Sequence, residues 1–215
     1  MKLGIAALVL TASVVAAPGA LADGIAGDTQ FFIGQRWMDN DLWQPLDEPS
    51  GFGFETSFAP SKSIARVALG FSVAGDKAHV VAPFFDETGD VYAAFLEFSA
   101  GFQINPVKKA PVRPYFGAGV LQMYAATGNN WDFFGGDSSF GFYGNLGLYF
   151  KVGEHFNVGF DGRIVRGTDI HLAGRDVDAD YEQASILIGF SWGGGADHEP
   201  EPEPEHESEP EDQQP

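Results

Sequence analysis

Cysteine is absent from this 215-residue sequence, which excludes a small exported fold held together by disulfide bonds. Basic residues are scarce, because 12 Lys and Arg stand against 30 Asp and Glu, for a net charge of −18. The basic residues are nowhere clustered, so the sequence predicts no nucleic-acid binding. After residue 22, no segment has the roughly 18 consecutive apolar residues that a membrane helix needs. If this chain spans a membrane, it therefore does so with strands.

The amino terminus has the pattern of a secretory signal peptide. Lys2 is the only charged residue before Asp23, and Leu3–Ala17 is a run of small and aliphatic residues. The sequence Ala-Leu-Ala at 20–22 then supplies small residues at both positions that a signal peptidase recognises. We therefore predict that residues 1–22 are a signal peptide, removed by cleavage after residue 22.

The carboxyl end is acidic and rich in proline. Residues 193–215 contain nine acids and no Lys or Arg, so this segment carries half of the excess negative charge. Alternating Glu and Pro cannot form a hydrophobic core, a helix or a sheet. We predict a disordered tail at 193–215, which leaves one folded domain at 23–192.

The folded domain has the pattern of eight strands, because its apolar residues alternate with small or polar ones. The segments are 29–38, 51–59, 64–74, 91–103, 113–125, 139–152, 156–165 and 181–192. The connections 39–50, 75–90, 126–138 and 166–180 are long, and the three between them are shorter. Long loops at one end and short turns at the other are typical of an antiparallel meander closed into an outer-membrane barrel.

The two faces of the strands indicate how the barrel is oriented. In the segment 156–165, Phe, Val and Ile occupy even positions, while Asn, Asp and Arg occupy odd ones. A water-soluble cup would turn the phenylalanines inward and cover its outer face with charges, but the polar face has about one charge per strand. Small residues suit the inside of a narrow barrel, and a continuous apolar face suits lipid. We predict an all-β fold, an eight-stranded antiparallel up-and-down transmembrane β-barrel with its phenylalanines facing outward.

Charged residues also fall on the inward-facing positions of these strands. They are Arg36, Glu55, Arg66, Glu97, Asp161 and Arg163. Acids and bases are equal in number, and buried charges persist when they are paired. The turn at 60–63 predicts that Arg66 lies close to Glu55. We expect a salt-bridged polar core rather than an open pore.

An enzyme that trims or transfers lipid A acyl chains is an alternative, because small barrels can carry a nucleophile, a histidine base and an orienting acid. His79 and His171 fall in predicted outer loops, and Asp169 with Ser138 or Ser139 would complete the set. Solvated histidines are common in such loops. We therefore predict no catalytic residues and no enzymatic activity, with the lipid A deacylase or acyltransferase as the alternative.

The acids Asp176, Asp178 and Asp180 have the spacing that opens a calcium-binding loop. The sixth and twelfth positions of that loop are Tyr181 and Leu187, where calcium loops have Gly and Glu. We therefore predict neither a metal site nor a cofactor.

Two stretches resemble a known family. Residues 113–120 read RPYFGAGV, and the last strand ends in GFSW at 189–192. Both are similar to the small eight-stranded bacterial outer-membrane β-barrels, the group of the outer-membrane protein A transmembrane domain and the opacity-like proteins. Phe190 and Trp192 match the family's aromatic-x-aromatic assembly signal, although Leu187 replaces its usual glycine and a tail follows. The resemblance implies a location in the bacterial outer membrane and insertion by the outer-membrane assembly machinery.

Aromatic residues in the outer loops are candidate surface contacts, because exposed aromatics on long loops often bind partners. They are Phe84, Phe85, Trp131, Phe133 and Phe134. We predict a monomer surrounded by outer-membrane lipid and lipopolysaccharide, with a structural or surface-interaction role in envelope integrity or adhesion, and a host or phage surface as its ligand. A narrow outer-membrane channel is the further alternative, which balanced lumen charges disfavour.

Overall fold

The structure is a computed structural model, and it describes residues 24–61, 63–82, 87–107, 110–129, 132–153, 155–172 and 175–193. The predicted signal peptide and the acidic tail after residue 193 lie outside the described residues. No helix in the described ranges is long and apolar enough to cross a membrane.

Strands account for most of the described chain. They are β1 (Ile25–Met38), β2 (Ser50–Pro60), β3 (Ala65–Ala82), β4 (Glu87–Ile104), β5 (Val112–Asn129), β6 (Asp132–Val152), β7 (Phe156–Arg166), β8 (Asp169–Leu172), β9 (Arg175–Asp178) and β10 (Tyr181–Gly193), and a short 3-10 helix spans Asp41–Trp43. Strands β1 to β7 and β10 close into one antiparallel barrel, while β8 and β9 pair with each other. The predicted eight-stranded antiparallel barrel is confirmed.

The register of the strands sets the width of the barrel. Following paired residues from Ile33 through β2, β3, β4 and β5 leads to Ser138 on β6. Following them the other way through β10 and β7 leads to Leu148 on the same strand, ten residues farther along. With ~3.3 Å per residue and ~4.8 Å between strands, this shift tilts the strands by about 40° and gives a radius of about 8 Å. Side chains fill most of such a lumen.

The apolar face of the barrel points outward, as the alternation predicts. Phe142 and Leu146 are 69% and 70% exposed, whereas Tyr143 between them is 4% exposed. Phe31, Phe102 and Ile188 lie on the same outer surface. In a membrane this surface contacts acyl chains, so its exposure carries no hydration cost.

The predicted loops at 75–90 and 126–138 are wrong, because both segments are largely strand. β3 pairs with β4 as far as Ala82, and β5 pairs with β6 as far as Asn129. These stretches lie beyond the lipid-facing part of the wall, so they lack the apolar alternation that marks the other strands. Their strand structure depends on backbone pairing with a neighbour, which no local pattern reports.

These extensions form a sheet that rises above the barrel. β2 begins at Ser50, opposite Gly75, and β7 ends at Arg166, opposite Phe142. We call the remainder the protruding sheet: residues 76–82 of β3, residues 132–141 of β6, and the parts of β4 and β5 between them.

Loops close the outer end of the lumen with an apolar plug. The plug consists of Trp43 and Leu46 from the first loop and Ile170, Val177 and Ala179 from the fourth, all buried. The Trp43 ring lies 5.1 Å from that of Phe95 inside the barrel, and its Nε1 donates to the Asp178 carbonyl at 2.7 Å. The two loops therefore hold each other over the barrel mouth, an arrangement that the sequence did not predict.

The inner wall depends on glycines where bulky side chains cross the lumen. Gly101 lies opposite Gly119, and a Cβ at Gly101 would overlap the Ala118 carbonyl and approach Tyr143 Oη to 2.6 Å. Gly162 faces outward, and its nearest contact for an added Cβ is the Leu146 carbonyl at 3.9 Å. The two sites therefore form a matched pair.

We predict that Gly101→Ala destabilises the barrel by about 1–3 kcal/mol, the usual cost of overpacking. The measurement is the temperature at which the chain, heated in detergent, converts from its fast-migrating folded form on a gel. Gly162→Ala should convert at the wild-type temperature. Equal temperatures for the two variants would contradict this account of the inner wall.

Candidate functional site

Arg163 on β7 is the centre of a buried cluster of charges in the lumen. Its Nη2 lies 2.8 Å from Glu55 Oε2 on β2, and its Nη1 lies 3.0 Å from Glu97 Oε1 on β4. The guanidinium also stacks over the Tyr143 ring at 4.6 Å. Arg163 thereby joins three strands that are distant in sequence. A charge in so narrow a lumen persists only with partners of this kind.

Arg36 on β1, two strands away from β7 around the barrel, completes the cluster. Its Nη2 lies 3.5 Å from Glu97 Oε2, its Nε donates to Gln183 Oε1 at 2.8 Å, and its Nη2 donates to Ser72 Oγ at 2.8 Å. The Tyr181 ring lies 4.3 Å from the guanidinium, and the Tyr181 hydroxyl donates to Glu97 Oε2 at 2.5 Å. Glu97 therefore receives contacts from two arginines and a tyrosine.

The predicted proximity of Arg66 and Glu55 is wrong. Glu55 lies opposite Gly70, four residues from Arg66 along β3, or about 13 Å at the rise of a strand. Arg66 instead forms an ion pair with Asp28, whose Oδ1 accepts a hydrogen bond from Ser191 Oγ at 2.5 Å. Asp28 was missed because the predicted first strand began one residue too late. Its even number places it on the same inward face as Arg36.

Asp161 also stands apart from the ion pairs. Its Oδ1 accepts hydrogen bonds from the Tyr115 hydroxyl at 2.5 Å and from Asn145 Nδ2 at 3.3 Å. Tyr115 stacks on Tyr149, with ring centroids 4.3 Å apart. Of the six predicted residues, four therefore meet in one ion-paired cluster, whereas Arg66 and Asp161 bind other partners.

The inward tyrosines are part of this site, and the sequence analysis assigned them no role. Tyr143 and Tyr181 stack on the two arginines, and the Tyr149 hydroxyl accepts hydrogen bonds from Gln30 and Gln103. Their positions on the polar, inward-facing side of the strands could have predicted that they lie in the lumen. A tyrosine there offers an apolar ring to a narrow interior and a hydroxyl to its polar groups.

His79 and His171 lie outside the lumen, beyond the outer end of the closed barrel. In the protruding sheet, His79 Nδ1 and Lys77 Nζ lie 2.9 and 2.7 Å from the carboxylate of Asp90. Hydrogen bonds from Lys77, and then from His79, lower the pKa of Asp90 to about 2. The carboxylate therefore stays charged at any physiological pH.

His171 is paired with Asp176, whose Oδ1 lies 2.8 Å from its Nδ1, and not with Asp169. Its backbone N–H donates to Asp137 Oδ2 at 2.8 Å, a bond that lowers the pKa of Asp137. The side-chain partner of His79 is Asp90 and that of His171 is Asp176, so within the described residues each histidine is paired with an acid and not with the serine that a lipid A hydrolase would use as nucleophile.

The three acids with calcium-loop spacing do not converge either. Asp176 is paired with His171, Asp178 Oδ1 accepts the Asp180 N–H at 2.8 Å, and Asp180 Oδ1 accepts from Thr168 N and Oγ1. Within the described part of the chain, no group of three or more acids or histidines is placed to hold a metal ion.

The predicted assembly signal lies within the described residues, whereas the side chains of the predicted surface contacts lie outside them. Phe84, Phe85 and Trp131 lie outside the described residues, as do the side chains of Phe133 and Phe134. Phe190 and Trp192 lie at the barrel seam, opposite Thr29 and Gly27 on β1. Trp192 Nε1 donates to Thr29 Oγ1 at 3.0 Å, which ties the last strand to the first.

A closed antiparallel barrel with an apolar exterior and a side-chain-filled polar lumen defines a transmembrane β-barrel protein. A family model, the outer membrane protein beta-barrel domain, matches residues 4–193, and the chain belongs to that family. The protein is therefore one of the bacterial outer membrane. The resemblance seen in the strand opening at 113–120 and in the last strand is confirmed at the level of the family.

Solved structures with this fold share little sequence with the chain. The attachment invasion locus protein Ail of Yersinia pestis, crystallised with the heparin analogue sucrose octasulfate, is 13% identical with a TM-score of 0.50, over 80% of this chain and 100% of that one. Neisserial surface protein A is 14% identical with a TM-score of 0.49, over 80% and 98%. A comparison with curated proteins gave no match. At such identities the likeness concerns the fold alone.

We predict that Glu97→Gln destabilises the barrel by about 3–5 kcal/mol, because it leaves Arg36 and Arg163 buried with one carboxylate fewer. Unfolding by urea in lipid vesicles measures the change. The control is Glu182→Gln, which removes an exposed partner of Arg166 at 3.3 Å and should cost less than about 1 kcal/mol. A Glu97→Gln variant as stable as this control would show that the cluster does not stabilise the fold.

Proposed function

We propose that this protein is a closed, non-conducting outer-membrane barrel with a surface-interaction role, and that its protruding sheet is the surface it presents. The open edge of that sheet carries the proposal. Structural support of the envelope follows from the same architecture, since a closed barrel is a stable anchor in the outer membrane.

The filled lumen supports an anchor rather than a channel. The cluster around Arg163 crosses the barrel from β2 to β7, and the apolar plug covers it on the outer side. Conduction needs a continuous polar path with room for a solute. Here the radius of about 8 Å is taken up by side chains that bind one another.

The edge of β3 supports interaction with a second polypeptide. Its pairing with β2 ends at Gly75, and in the described ranges residues 76–82 have no strand partner on that side. The N–H of Lys77 donates instead to the carboxylate of Asp76 at 2.7 Å, which indicates that it points out of the ladder. An open edge of this kind pairs with an extended chain through backbone hydrogen bonds.

The opposite edge of the protruding sheet is covered. The β8–β9 hairpin lies against β6, with the His171 N–H bound to the Asp137 carboxylate at 2.8 Å. The proposal therefore concerns a single edge, along β3, and a partner that offers an extended segment, such as a host or phage surface protein. Basic residues are nowhere clustered in the sequence, which opposes a polyanion like the heparin analogue that Ail binds.

Membrane contacts of the chain follow from the same arrangement. We infer that outer-membrane lipid and lipopolysaccharide surround the apolar exterior. We also infer that the outer-membrane assembly machinery recognises Phe190 and Trp192, which lie on the last strand where it pairs with the first.

We predict that the purified chain, reconstituted in planar bilayers, produces no stepwise conductance. Trp43→Ala should also stay silent, because it opens only the plug while the charged cluster beneath remains. Stepwise currents from the wild-type chain would instead favour the channel alternative and contradict the proposal.

We predict that His79→Pro weakens binding of extended peptides. His79 and Lys77 are two residues apart, so their N–H groups point to the same side of β3, and proline removes that donor without breaking the ladder to β4. Peptides selected from a random display library against the wild-type chain should bind His79→Pro at least tenfold more weakly. His79→Ala, which keeps the N–H, should bind them like wild type.

Both variants should show the wild-type mobility shift on heating, which confirms a closed barrel. If the selected peptides bind His79→Pro as well as they bind wild type, strand addition at this edge is wrong.

A further inference from the structure

A small cavity lies beside the charged cluster, inside the barrel wall. Its volume is about 10 Å³, and Glu55, Asp161, Arg163, Asn145 and Gln183 are among the residues that line it. This is about the volume that the centre of one water molecule requires. Six of its nine lining residues are polar or charged, beside Phe32, Tyr115 and Leu187, so the cavity differs from the dry voids found between apolar side chains.

One residue of the lining has a buried donor without a partner. Arg163 is 5% exposed, and its two terminal nitrogens bind Glu97 and Glu55, but its Nε has no hydrogen-bond acceptor among the residues that the structure describes. Arg36 differs in this respect, because its Nε donates to Gln183 Oε1 at 2.8 Å. Buried N–H groups in native proteins are nearly always paired, with protein or with ordered water.

The chemistry of the lining selects the occupant. An anion is repelled by Glu55 and Asp161. A monovalent cation would offset the excess of three carboxylates, Glu55, Glu97 and Asp161, over two guanidinium groups, but an N–H donor cannot coordinate a cation. Water satisfies both kinds of group, since it accepts one hydrogen bond and donates two.

We propose that this cavity binds a single ordered water molecule, which accepts a hydrogen bond from Arg163 Nε and donates to the carboxylates of Asp161 and Glu55. Asp161, which has no direct ion pair, is thereby joined to the charged cluster. The lumen then contains one continuous polar network, from Tyr115 through Asp161 and Arg163 to Tyr181.

The test is magnetic resonance on the full mature chain in lipid nanodiscs, with ¹⁵N-labelled arginine. Magnetisation should pass from water to the Arg163 Nε–H, which is identified by its loss in Arg163→Lys. The Arg36 Nε–H is the matched control within the same molecule, because it is equally buried and bonded directly to Gln183. We expect transfer at Arg163 at least fivefold stronger than at Arg36. Equal transfer at both sites, or none at Arg163, would overturn the proposal.

Two variants locate the water. Asp161→Glu extends the carboxylate by one methylene into the cavity and should abolish the transfer, whereas Asp161→Asn keeps a polar acceptor and should retain it. Both must show the wild-type heat shift on gels. Transfer that persists in a folded Asp161→Glu variant would place the water elsewhere. An Arg163 resonance that moves when sodium replaces a large organic cation would identify a cation site instead.

Discussion

The closure of eight tilted strands at a shift of ten residues is the constraint on which the rest of this structure depends. It gives a tube too narrow for bulk water to hydrate a charge, with hydrocarbon on the other side of the wall. Most inward polar groups therefore find their partners among the other inward side chains. Glu97 meets this condition by receiving Arg36, Arg163 and Tyr181 together. The cluster is dense because the lumen allows no alternative.

The side chains that fill the lumen differ between its membrane-embedded part and its outer end. Ion pairs occupy the part inside the membrane, and an apolar plug built from the first and fourth loops occupies the outer end. The plug can be apolar because loops are free to fold inward there and to satisfy their backbone groups with each other, as Trp43 does with Asp178. In the non-conducting barrel that we propose, contact with the outside depends on what rises above the plug.

Strand pairing explains why the barrel wall has no free edge and why the protruding sheet has one. At the seam, β1 and β10 are fastened by Trp192 on Thr29 and by Ser191 on Asp28, so the membrane-embedded wall has no free edge. Above the membrane, β3 continues past the start of β2, and an edge reappears. A closed wall protects against unwanted pairing in the membrane, whereas an open edge in the protruding sheet allows pairing where another chain is present.

The sequence by itself determined the number of strands in the barrel, the outward face of most phenylalanines and the inward position of the six predicted charges. A strand has a period of two, so alternation reports which face a residue occupies. It does not report register. The choice of ion-pair partners depends on the register between strands and on the shift at which the barrel closes. Register therefore decides that Arg66 pairs with Asp28 and that Asp161 has no ion-pair partner among the described residues. The extended hairpins and the plug were likewise decided only by the tertiary structure, because they arise from contacts between segments far apart in the chain.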